Sequence, residues 1–186
     1  PELFTAVTWT ILLDAAEEAE AEDFGRLCVA RLPEKETLAA LIFEGGSKNG
    51  NEFQIVVARK GMAVFGIEVE GKASHAGSAH ENGANAIVQL AHTIQAVDAL
   101  TDYEKQITVN VGTVDGGTVT NRVPHHASAR AEMRAFAPEI FAQTVQEIKA
   151  LADEVSVRSS ATDFACELIV NIERETSPWP RNERTD

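Results

Sequence analysis

The sequence predicts an α+β fold in which a four-stranded antiparallel sheet carries two helices on one face, preceded by a fragment of an α/β domain. Three observations predict it. After residue 60, apolar side chains alternate with polar ones in four separate segments. Two amphipathic segments of helical period lie among them. The resulting order is strand, helix, strand, strand, helix, strand, which is the ferredoxin-like β-α-β-β-α-β arrangement.

Taken in order, Val7 to Leu13 is β-branched and apolar and runs into Asp14-Ala15-Ala16-Glu17-Glu18, as expected of a buried strand that ends in a polar loop. Phe24 to Leu32 places Leu27, Cys28 and Leu32 at helix-compatible spacing and stops at Pro33. Thr37 to Phe43 is a second apolar run, closed by Glu44-Gly45-Gly46. Strand, helix and strand with acids at the strand ends predict part of an open α/β sheet, whose ligands bind beyond the carboxyl ends of the strands.

From residue 61 the pattern changes. Phe65, Ile67 and Val69 alternate with Glu68 and Glu70, which predicts a strand exposed on one side. Ile87, Leu90, Ala91, Ile94 and Val97 predict the apolar stripe of the first helix. Ile107, Val109 and Val111 alternate, as do Ala129, Ala131, Met133 and Ala135. Pro138 suits the first turn of the second helix, with Phe141, Val145, Ile148 and Ala152 as its stripe. Phe164, Cys166, Leu168, Val170 and Ile172 form the last strand. The third strand leaves Ser128, Arg130, Glu132 and Arg134 on the sheet face away from the helices. The expected organisation is part of an α/β domain over residues 1–60, the β-α-β-β-α-β domain over 61–173 and a linker over 174–186.

Composition narrows the function classes. With 186 residues and 44% hydrophobic content, the chain can bury one core, or one domain plus part of another. Its net charge of -13, with no basic stripe, argues against binding to nucleic acid or to an anionic membrane. No apolar run is long enough to span a bilayer. Cys28 and Cys166 lie far apart in apolar surroundings, which suits reduced thiols and a cytoplasmic location. The opening Pro-Glu-Leu-Phe has no features of a signal peptide and reads as a cut end, so a fragment is expected.

Chemistry concentrates in glycine-flanked turns. Gly71-Lys72-Ala73-Ser74-His75-Ala76-Gly77 is followed by Asn82-Gly83-Ala84-Asn85-Ala86 and then by Gly116-Gly117-Thr118-Val119-Thr120-Asn121-Arg122-Val123-Pro124. A histidine and an asparagine held in such turns are presented outward, where another molecule can approach closely. An imidazole so placed can donate to a carbonyl oxygen as it becomes an oxyanion. The adjacent acids Glu17 and Glu18 project in different directions, so one can ligate a metal while the other reaches its bound water. Without further context they equally suit the start of a solvated acidic helix.

These motifs, together with Arg134 on the following strand, resemble the lid or dimerization domain of the co-catalytic zinc metallopeptidases and amidohydrolases. That family includes acetylornithine deacetylase, succinyl-diaminopimelate desuccinylase, aminoacylase and the glutamate carboxypeptidases. Glu17-Glu18 is similar to the family's paired-glutamate motif, and Glu44 to its acidic strand end. The resemblance implies a hydrolase of carboxypeptidase or deacylase type acting on an N-acyl amino acid or dipeptide. It implies two zinc ions per complete active site, with cobalt or manganese as alternatives. Glu17 is the implied general base, Glu18 and Glu44 metal ligands, and His75 a catalytic donor reaching the neighbouring subunit's site in a homodimer. Asn121 and Arg134 are the implied partners of the substrate's free carboxylate, which suits a planar guanidinium.

The family's His-x-Asp motif, bridging aspartate and terminal histidine have no counterpart here, and no histidine precedes His75. The segment is therefore expected to be inactive alone. A non-catalytic dimerization module is the alternative expectation. His80, His92, His125 and His126 match no functional position and are expected at the surface.

Overall fold

Alternation of side chains sets the sheet expected after residue 60, whereas the first 54 residues follow other rules. The structure, a computed structural model, describes residues 6–14, 22–33, 35–41, 48–50, 52–53 and 56–181. The chain divides into two units, Pro1–Gln54 and Ile55–Asp186.

In the first unit, helix α1 (Glu22–Arg31) forms as expected, stopping two residues before Pro33. The strands expected at Val7–Leu13 and Thr37–Phe43 are not formed among the described residues, which include 7–13 and 37–41. Ile11, Leu13, Leu38 and Leu41 are largely exposed. The physical reason is pairing: an apolar run becomes a strand only when a neighbouring strand takes up its backbone N–H and C=O groups, and among the described residues no strand pairs with these runs. The only pairing among this unit's described residues is a two-residue hairpin, β1 (Lys48–Asn49) against β2 (Glu52–Phe53), turning through Gly50 at φ 63°.

The second unit has the predicted arrangement. Its elements are β3 (Gly61–Glu70), α2 (Ala86–Asp98), β4 (Thr108–Gly116), β5 (His126–Ala135), α3 (Pro138–Ala150) and β6 (Glu167–Thr176). The sheet order is β4-β5-β3-β6, with every neighbouring pair antiparallel. β3 is central and pairs along its length with β5, from Gly61 opposite Ala135 to Glu70 opposite His126. Strand β6 runs through Thr176, so the sheet continues past residue 173.

Period-two patterning explains the core. Ala63, Phe65, Ile67 and Val69 of β3 and Ala127, Ala129, Ala131, Met133 and Ala135 of β5 are all buried on the helix side. The small alanines of β5 let α2 and α3 lie close to the sheet, where Phe141, Val145 and Ile148 of α3 and Leu90 and Val97 of α2 fill the space. Burying each large apolar side chain contributes about 1.5–3 kcal/mol.

Helix α2 is rotated from the expected stripe. Leu90 and Val97 are buried and Ile94 packs at the margin, but Ile87 and Ala91 face outward while Gln89 and Thr93 are buried. Gln89 can be buried because its amide is fully used. Oε1 accepts from Ser156 N at 2.9 Å and Val157 N at 3.0 Å, and Nε2 donates to Glu154 O at 3.1 Å. The amide ties α2 to the segment before β6, satisfying backbone groups that would otherwise be stranded.

Candidate functional site

The glycine turns meet at one end of the sheet. Beyond the end of β3, residues 71–77 run antiparallel to residues 121–125, held by Gly71 N to His125 O at 2.7 Å, Val123 N to Ser74 O at 2.8 Å and Ala76 N to Asn121 O at 2.9 Å. Two glycines permit this approach. A Cβ at Gly71 would fall on the carbonyl oxygen of Ala84, and one at Gly83 would lie within 2.8 Å of the buried Val123 side chain. Asn85 then caps α2, its Oδ1 accepting from Val88 N at 3.2 Å.

His75 is exposed at the tip of this assembly. Its Nδ1 accepts from Gly77 N and from Ser78 N, each at 3.1 Å. Two N–H donors aimed at Nδ1 leave no room for a proton there, so the neutral ring carries its proton on Nε2. Nε2–H has no partner among the described residues. The turn therefore fixes both the tautomer and the ring, and presents a hydrogen-bond donor outward. Ser74 reinforces it by donating its hydroxyl to Ala79 O, and Ala79 N donates to His75 O at 3.1 Å.

Asn121 lies beside this turn through its backbone contact with Ala76, and its side chain is exposed. Arg134 does not join them within one chain. It sits at the other end of β5, eight residues beyond His126 and level with Met62 of β3 and Thr108 of β4. Eight strand residues span about 27 Å. Its guanidinium makes a two-point pair with Glu132, Nε to Oε1 at 3.1 Å and Nη2 to Oε2 at 3.2 Å, with Met62 Sδ at 3.7 Å from Nη2. This exposed pair is worth little, so a competing carboxylate could displace it at small cost.

Glu17, Glu18 and Glu44 lie outside the described residues. Among the described residues no group of three His, Cys, Asp or Glu side chains could hold a metal ion. The described residues therefore supply no zinc centre of their own. His80, His92 and His125 are exposed, and His126 is partly buried with its Nε2 3.8 Å from Glu70 Oε1. No described helix is long and apolar enough to cross a membrane.

Sequence reasoning missed two supports of the His75 turn. Ser159, which is buried, donates to Glu81 O at 2.8 Å, and Lys72 Nζ donates to Thr162 Oγ1 at 3.2 Å, so the loop before β6 braces the base of the turn. Neither residue carries a spacing signal, because the contact joins segments about 80 residues apart.

Comparison with known proteins gives the same domain. Residues 57–178 match the model of the M20 peptidase dimerisation domain. The chain belongs to this family. Carboxypeptidase G2 of Pseudomonas sp. is 26% identical over 147 residues, covering 79% of this chain and 34% of that protein. The protein YqjE of Bacillus subtilis is 32% identical over 108 residues, covering 58% of this chain and 29% of its own length. The chain thus spans about a third of the curated relatives it matches. Among solved structures, an aminobenzoyl-glutamate utilization protein from Klebsiella pneumoniae superposes with a TM-score of 0.56 at 21% identity, covering 67% of this chain and 31% of that one. The aminopeptidase PepT from Bacillus cereus gives 0.53 at 29% identity, covering 69% and 33%. Carboxypeptidases and a deacetylase thus stand among the relatives of this M20 dimerisation domain.

Proposed function

We propose that the full-length protein is a zinc-dependent, cytoplasmic homodimeric hydrolase that cleaves an amide bond next to a free carboxylate, in an N-acyl amino acid or dipeptide. This chain supplies the lid and the two-fold contact, with residues 61–176 as the lid body and the residues after Thr176 leading back to the catalytic domain. The observation that carries the proposal is the His75 turn: an exposed imidazole whose Nδ1 is occupied by two backbone donors and whose Nε2–H is directed outward.

In this proposal Glu18 and Glu44 are zinc ligands, and the metal, when bound, would polarise the scissile carbonyl and supply a hydroxide near neutral pH. Glu17 takes the proton of the attacking water and passes it to the leaving amine. His75 Nε2–H, from one subunit, donates to the oxyanion forming in the other subunit's site. Its proton is already in place, so no reorganisation is needed as charge develops. Asn121 and Arg134 bind the substrate carboxylate. Their separation along the sheet within one chain means that the two groups on one substrate would come from different subunits.

Support comes from the family membership, from the carboxypeptidase and deacetylase relatives, and from the geometry of the turn. The test is a hydrolysis screen of the full-length protein on N-acyl amino acids and dipeptides with and without added zinc. Activity that requires metal and disappears in Glu17→Ala is expected. Absence of hydrolysis on the whole panel, or a fully active Glu17→Ala, overturns the proposal.

A further inference from the structure

His75 pairs across the two turns with Arg122, and this points to a residue that the site described so far does not use. The two residues face each other in an isolated antiparallel bridge. The hydrogen bonds lie on either side of the pair, Val123 N to Ser74 O and Ala76 N to Asn121 O, so His75 and Arg122 are the non-hydrogen-bonded kind of partners. In such a pair the Cα atoms approach to about 4.5 Å and both side chains leave on the same side. The arginine stem is the longer, so its guanidinium can reach past the imidazole.

Arg122 is exposed, and among the described residues its side chain forms no hydrogen bond or ion pair. By contrast Arg130 pairs with Glu173, and Arg134 with Glu132. In a chain with 29 acidic and 16 basic residues, an arginine left without an acid next to an outward imidazole is a local positive point in a negative field. Its backbone is fixed: Val123, the next residue, is buried against Gly83. A pre-positioned planar donor of this kind suits a carboxylate, which it can bind with two parallel hydrogen bonds.

We propose that Arg122 is a specificity-determining residue that binds a carboxylate on the acyl side of the scissile amide, making dicarboxylic N-acyl groups preferred substrates. This rests on the assignment of His75 to the scissile carbonyl. With Asn121 and Arg134 given to the carboxylate of the leaving amino acid, a cation beside His75 is left for the acyl half.

The experiment uses the full-length protein and two substrates of one amino acid, its N-succinyl and N-butanoyl derivatives, which differ in the terminal carboxylate. The wild type should favour the succinyl compound in kcat/KM. Arg122→Gln should lower that preference about 10- to 100-fold, mainly through KM, with Arg122→Lys in between. His75→Gln should slow both substrates and leave the ratio unchanged. A ratio that Arg122→Gln does not alter overturns the proposal, as does a wild-type preference for the butanoyl compound. If neither compound is hydrolysed, the same compounds are titrated by calorimetry. Tighter binding of the succinyl compound that is lost in Arg122→Gln then upholds the Arg122 assignment, and equal binding overturns it.

Discussion

The two ends of the four-stranded sheet hold their polar groups in different ways. At the His75 end the backbone does the holding: two N–H groups fix the ring, glycines allow the turns to touch, and a buried valine anchors the neighbouring strand. At the Arg134 end a side chain does it, through an exposed ion pair with Glu132 on the same strand. A group fixed by backbone costs nothing to orient when a transition state forms, whereas a group held by a surface ion pair is free to exchange one carboxylate for another. The first suits a catalytic donor and the second suits a binding clamp.

Four substitutions or conditions test this contrast. The largest effect is expected from His75→Ala in the full-length protein: kcat should fall about 10²- to 10³-fold with little change in KM or melting temperature, as for loss of one oxyanion donor. A loss confined to KM would place His75 among binding groups and remove the distinction between the two ends. Next, Gly83→Ala forces a methyl group towards Val123 and should cost about 1–3 kcal/mol in denaturant unfolding, lowering kcat as the turn shifts. An unchanged unfolding midpoint would mean that the turn is looser than the contact suggests.

At the other end, Glu132→Gln should change stability by less than about 1 kcal/mol, because the pair is exposed. A stability loss above about 2 kcal/mol would show that the pair is structural and not exchangeable. The smallest effect concerns Cys166, whose thiol is pushed up from its ordinary range by burial. The folded state holds this proton more tightly than the unfolded chain does. Its contribution is fully present below about pH 8.5 and is lost as pH rises through the folded value. Urea unfolding at pH 7 and pH 10 should show a pH-dependent loss that shrinks in Cys166→Ala, and no difference between the proteins would contradict the burial argument.

How far the sequence could be read follows from which forces are local. β3 and β5 were legible because period-two alternation and one-sided burial are the same fact, seen for example in Phe65, Ile67 and Val69 against Glu68 and Glu70. The start of α3 at Pro138 was legible for a local reason too. The rotation of α2 was not, since burying Gln89 depends on carbonyl and amide groups more than 60 residues away. Val7–Leu13 and Thr37–Phe43 misled because an apolar run states a wish for burial without naming a partner strand. At the site, the motif marked His75 and Asn121, whose backbones the structure brings side by side. It gave no hint that Arg122 stands opposite His75, because register across two turns is set by hydrogen bonds that spacing does not encode. Glu17, Glu18 and Glu44 rest on the family resemblance.

Whether His75 acts across a two-fold axis is decided by mixing two inactive variants. Full-length His75→Ala and Glu17→Ala homodimers, each inactive alone, are unfolded and refolded together. In a heterodimer one site then has an intact Glu17 and receives an intact His75 from its neighbour. Activity returning to about a quarter of wild type is predicted for random two-fold pairing. Heterodimers that form in the expected proportion but stay inactive would place His75 in its own subunit's site and contradict the account.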